Sequence, residues 1–137
     1  MCAHPTLFAA VATYGAVPLS PCPAGTPEVS VMLAAGAADQ VLPFHGKPSG
    51  HPPLPSVAQA LAWLRAQDRC PVRAQNSRDG WVVIERWAAC GGGTEVESVV
   101  YPARGHAWPV AGLPTTATLM WTFLSRHHQG RSSPRPQ

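Results

Sequence analysis

Lysine is nearly missing from this 137-residue chain: Lys47 stands alone against nine arginines, at positions 65, 69, 73, 78, 86, 104, 126, 131 and 135. Charge of either sign is scarce, at 12% of residues, and the formal net charge is +3. The arginines form no stripe and are not interleaved with aromatics, so they offer no electrostatic footprint for a phosphate backbone. Nucleic acid is therefore not expected as a partner, and an acidic or phosphorylated partner is not supported. No run of about 18 apolar residues exists, which excludes a membrane-spanning helix. The opening Met1-Cys2-Ala3-His4-Pro5 has no basic stretch followed by an apolar one and is not a signal peptide. If the protein is exported, its signal lies upstream of Met1. No C-x-x-C occurs, and His4, His45, His51, His127 and His128 make no compact ligand pattern. No metal and no cofactor are expected.

Cysteine is sparse but evenly placed. Cys2 with Cys22, and Cys70 with Cys90, are two pairs of 20-residue spacing. Four cysteines allow three pairings, of which the sequential one is simplest because each bridge closes a loop around one or two elements. Each such loop would stabilise by roughly 3 kcal/mol in the chain-entropy model. Four free thiols in a reducing compartment are the other reading.

Along the chain, Leu7 to Ala12 (LFAAVA) and Val29 to Ala35 (VSVMLAA) are apolar runs without alternation, as buried parallel strands require. Residues 43–55 are dense in proline and read as a helix-free loop. Ser56-Val57-Ala58-Gln59 fits a capping box, and Val57, Ala60, Leu61 and Leu64 recur on one helical face, with Gln59, Gln67 and Asp68 off it. Cys70-Pro71 ends that helix. A turn at Asp79-Gly80 introduces the strand-like WVVIERW of 81–87, and Glu95 to Tyr101 (EVESVVY) alternates as a half-buried strand should. A final helix is expected from Thr115 or Thr116, with Ala117, Met120, Trp121 and Leu124 as its apolar face and Arg126, His127 and His128 at its C-terminus. Trp63, Trp81, Trp87 and Trp121 read as core or sheet-covering aromatics. The sum is an α/β domain over residues 1–128, built on a mostly parallel sheet with flanking helices, and a disordered polar tail over 129–137.

Sheets of this kind place working residues beyond the carboxyl ends of their strands. Asp39 follows one predicted strand and His106 follows another, in the order that the last two members of a Ser, Asp, His triad take in α/β hydrolases. The surrounding residues sharpen this. AGAADQVLPF (35–44) resembles the HGTADPVVPY segment of the polyhydroxybutyrate depolymerase/feruloyl esterase family. GHAWP (105–109) is similar to the family's GGGHTWPG, and LPSVAQALAWLRAQDRC (54–70) to its helix ending in cysteine. CAHPTLFAAVATYGA (2–16) resembles the stretch after the family's nucleophile helix, and ATLMWTFLSRH (117–127) its ATELIWDFFARH.

The resemblance runs in register to about His128. It implies the C-terminal portion of an α/β-hydrolase fold and a secreted serine esterase acting on polyhydroxyalkanoate, feruloyl or acetyl esters. It also implies Asp39 as triad acid, His106 as general base, and structural disulfides from the cysteines paired sequentially. Trp108, beside the base, would line the acyl or alcohol pocket, with simple packing of its loop as the alternative. Departures are equally plain. No G-x-S-x-G exists in the chain, Ala35 replaces the family's histidine before the acid motif, and Ala103-Arg104-Gly105 replaces GGG before the base. The nucleophile and oxyanion loop would lie upstream, which makes the chain inactive alone and leaves its first strand at an exposed sheet edge. The rival readings are a non-catalytic remnant and a small disulfide-stapled secreted binding module.

Overall fold

Seven residues in succession, Ser30–Gly36, are buried on both faces and form an interior strand. In the computed structural model, which describes residues 1–108 and 115–127, this strand (β2) lies parallel to β1 (Ala10–Tyr14) on one side and to β5 (Val96–Tyr101) on the other. Beyond β5 come β4 (Val82–Trp87) and β3 (Gln75–Asp79), giving the order β1-β2-β5-β4-β3. One helix covers each face: α1 (Val57–Gln67) and α2 (Thr116–Ser125).

The expectation of a mostly parallel sheet, and with it of an α/β-hydrolase C-terminal portion, does not hold. The sheet is mixed, because β4 runs antiparallel to β5 and β3 antiparallel to β4. Loop length is the physical reason. Asp79 pairs with Val82 across the two residues Gly80 and Trp81, with Gly80 at φ 59°. So short a link makes a hairpin, whereas a parallel pair needs a crossover of roughly a dozen residues or more. β3 itself carries no strand signal, since QNSRD is exposed throughout and holds no apolar residue.

The two faces of β2 divide the core. Val31, Leu33 and Ala35 pack with Val57, Ala60, Leu61 and Leu64 of α1, while Met32 and Ala34 pack with Val99, Tyr101 and Phe123 on the α2 side. α1 starts as the capping box dictates, with the Ser56 hydroxyl accepting from the Gln59 N–H at 3.0 Å. Its C-cap, Asp68, is buried, against the expectation that it lies off the packed face.

Three further expectations need correction. The apolar run at Leu7 begins as a 3-10 turn, Pro5–Leu7, and the strand starts only at Ala10. β5 is buried on both faces instead of one, because Glu97 pairs with Arg126 at the end of α2, as Glu95 just before the strand does with Arg126 and with Arg86 of β4. On α2 the packed residues are Thr116, Leu119, Met120 and Phe123, so Trp121 is 72% exposed and covers no core. The helix stops at Ser125 with Arg126 as its C-cap, and His128 and the tail 129–137 lie outside the described residues.

Both disulfides pair sequentially, Cys2–Cys22 and Cys70–Cys90. The second joins the end of α1 to the loop before β5. No helix among the described residues is long and apolar enough to cross a membrane.

Candidate functional site

Parallel pairing brings the carboxyl ends of β1, β2 and β5 side by side, at Tyr14, Gly36 and Tyr101. The turn after β2 carries Asp39 and the turn after β5 carries His106. These turns are stitched together by Ala37 N–H to the Tyr101 carbonyl at 3.0 Å and Ala38 N–H to the Arg104 carbonyl at 2.9 Å. A side chain at Gly36 would collide with that same Arg104 carbonyl, so glycine is what lets the turns touch.

Asp39 and His106, 67 residues apart in sequence, meet with Oδ2 and Nδ1 at 2.9 Å. The other carboxylate oxygen, Oδ1, accepts the N–H groups of Val41 and Leu42, both at 2.8 Å. Burial works to raise the Asp39 pKa, but the Leu42 N–H, the His106 ring and the Val41 N–H outweigh it and hold the carboxyl below its ordinary value. The Asp39 side chain is 2% exposed and that of His106 42%, so a fixed, ionised acid backs an imidazole that faces outward.

His106 opens into a cleft of about 580 Å³ lined by Tyr14, His106, Ala107, Trp108 and Met120. Trp108 is half-exposed there with its ring 5.8 Å from that of Tyr14, so it both lines the cleft and packs its loop. Among the described residues, no serine, threonine or cysteine lines it. Arg104, just before Gly105, lays its guanidinium over the Trp81 ring at 5.2 Å. Ala35 is simply buried in the α1-facing core.

Two neighbours of the dyad, Tyr14 and Gly15, do not stand out from the sequence. The Tyr14 hydroxyl donates to the Gly105 carbonyl at 2.5 Å, and a Cβ at Gly15 would stand 2.9 Å from His106 Nδ1. Their sequence signal is only a Tyr-Gly at the end of an apolar run. A larger hollow, lined by residues 21–28 with Trp63 and Arg69, holds neither member of the dyad. Comparison with protein-family models and with curated proteins returns no match.

Proposed function

We propose that this chain carries the acid–base half of a serine-type carboxylic ester hydrolase, with His106 as the proton-transfer residue and Asp39 as its orienting carboxylate. The observation that carries the reading is the 2.9 Å contact between Asp39 Oδ2 and His106 Nδ1, made by a buried acid to an exposed ring. With Nδ1 engaged, Nε2 is the nitrogen left for catalysis. It would take the proton of an attacking serine hydroxyl as the Ser oxygen bonds to the ester carbonyl carbon, then return that proton to the departing alkoxide. Asp39 stays ionised and stabilises the imidazolium. The resemblance of residues 35–44 and 105–109 to polyhydroxybutyrate depolymerases and feruloyl esterases supports polyhydroxyalkanoate, feruloyl or acetyl esters as the substrate class. Two disulfides favour an extracellular location.

The reading requires a nucleophile from outside these 137 residues, since the chain has no G-x-S-x-G and no serine among the described residues lines the cleft. The chain alone is expected not to turn over a p-nitrophenyl acyl ester. Turnover blocked by a serine-directed phosphonate would overturn that. In a protein extended through the coding sequence upstream of Met1 and bearing an in-frame G-x-S-x-G, Asp39→Asn should lower kcat by roughly ten-thousandfold and His106→Ala by roughly a millionfold. Full activity in either variant refutes the role assigned to that residue, and an upstream sequence with no such elbow favours a non-catalytic remnant.

A further inference from the structure

The residues that hold a catalytic imidazole matter as much as the imidazole, because an error of about 1 Å in its placement costs on the order of a hundredfold in rate. Around His106 the main-chain turn is held from the β1 side as well as the β2 side. Tyr14, the last residue of β1, reaches across 91 positions of sequence and donates its hydroxyl to the carbonyl of Gly105, the residue just before the histidine, at 2.5 Å. Its ring lies 5.8 Å from the ring of Trp108, two residues after the histidine, and 6.0 Å edge-on from Tyr101 at the end of β5. One side chain thus grips His106 on both flanks. Burial raises the Tyr14 pKa, and the Asp39 charge raises it further, so the phenol remains a donor.

Gly15 completes the slot. It is buried, its N–H bonds the Ala34 carbonyl at 3.0 Å, and its φ is +60°. A Cβ there would come within 2.9 Å of His106 Nδ1, 3.0 Å of Cε1 and 3.6 Å of Asp39 Oδ2. The imidazole therefore lies against bare backbone, in the space a side chain would fill.

We infer that Tyr14 and Gly15 are positioning residues of the Asp39–His106 dyad: the phenol fixes the turn that carries the ring, and the glycine leaves the ring its slot beside the acid. This rests on the ester-hydrolase reading, in which the dyad's geometry is what matters, but it is testable on the 137-residue chain without any substrate. The readout is NMR of the His106 ring, labelled with nitrogen-15. The wild-type chain should show a protonated Nδ1 with a low-field proton signal and a bare Nε2, and Asp39→Asn should abolish that signal. Tyr14→Phe keeps the ring and removes only the hydroxyl, so the fold should survive by circular dichroism. Exchange of the Nδ1 proton with water should rise roughly tenfold, the factor that one net hydrogen bond corresponds to. Gly15→Ala should remove the low-field signal altogether. A wild-type chain without the signal would sink the dyad reading itself. A wild-type signal unmoved in Tyr14→Phe would sink the positioning role while leaving the dyad standing.

Discussion

At the carboxyl ends of β1, β2 and β5 one buried carboxylate, Asp39, meets one exposed imidazole over an open cleft. At the opposite end of β5 two buried carboxylates, Glu95 and Glu97, meet the guanidiniums of Arg126, at the end of α2, and Arg86, on β4. There Arg126 bonds Glu95 at 2.5 Å and Glu97 at 3.0 Å, Arg86 bonds Glu95 from β4, and His127 Nε2 sits 3.4 Å from Glu95. Burial pushes both glutamates up. Arg126 and Arg86 reverse this for Glu95, whereas Glu97 stays raised, with Arg126 its one bonded partner among the described residues and the Glu95 charge nearby. The contrast teaches what makes a buried acid available for chemistry. Arginine cannot give up its proton, so the second cluster is a fixed clamp. Histidine can, which is what the proposed ester-hydrolase reading asks of the first.

The comparison can be broken from the clamp end first. Glu95→Ala removes the carboxylate shared by Arg86 and Arg126, both about a third exposed, and should cost about 2–4 kcal/mol, read as a fall in the thermal or urea midpoint. A loss below about 1 kcal/mol would show the cluster to be ordinary surface pairing. Removing the Cys70–Cys90 bridge, with both positions changed to Ser, should cost about 2–4 kcal/mol and loosen the same end. The His106 ring signals should survive it. Their loss would mean the two ends are mechanically coupled.

Asp68 sharpens the comparison through pH. It is buried at the end of α1 with Oδ2 lacking a partner among the described residues, and burial, helped by the Glu28 charge, pushes its pKa to about 6. A folded-state pKa above the unfolded value means stability fully present below that unfolded value and lost as pH rises through about 6. Asp68→Asn should therefore flatten the wild-type gain between pH 8 and pH 5, a difference of about 1.4 kcal/mol, one pKa unit's worth. Asp39 and Glu95, whose pKa values are lowered, act in the opposite sense: their contribution is present above the ordinary carboxylate range and lost as acid titrates them. An unchanged pH profile in Asp68→Asn would show that some other group governs stability in this window. Smallest of all, Trp121→Gln should shift stability by no more than about 0.5 kcal/mol, since the ring covers no core. A larger loss would restore the tryptophan to the core that its sequence pattern suggests.

What is legible in the sequence is what local chemistry decides. Ser56 announces its helix because its hydroxyl serves a backbone N–H three residues away. β2 announces itself because burial on both faces demands an unbroken apolar run. The dyad is legible through its flanking motifs, since Asp39 and His106 taken singly look like any polar loop residues. The misses are non-local. β3 has no apolar residue and exists only because the Gly80 turn folds it onto β4. The packed face of α2 is misjudged because Trp121 and Leu124 look like core and Thr116 does not, yet the fully buried one is Thr116. Tyr14 and Gly15 acquire their role from a turn some 90 residues downstream.

Gly36 has a consequence for anyone who would redesign the cleft. Because a side chain there would strike the Arg104 carbonyl, the acid turn and the base turn fit face to face like two halves of one casting. A library that varies residues 37–42 while holding 102–106 constant will be filtered for fit before it is filtered for chemistry. Exchanging the two turns together, with glycine retained at 36, keeps the mould intact and leaves only the reactive surface to be searched.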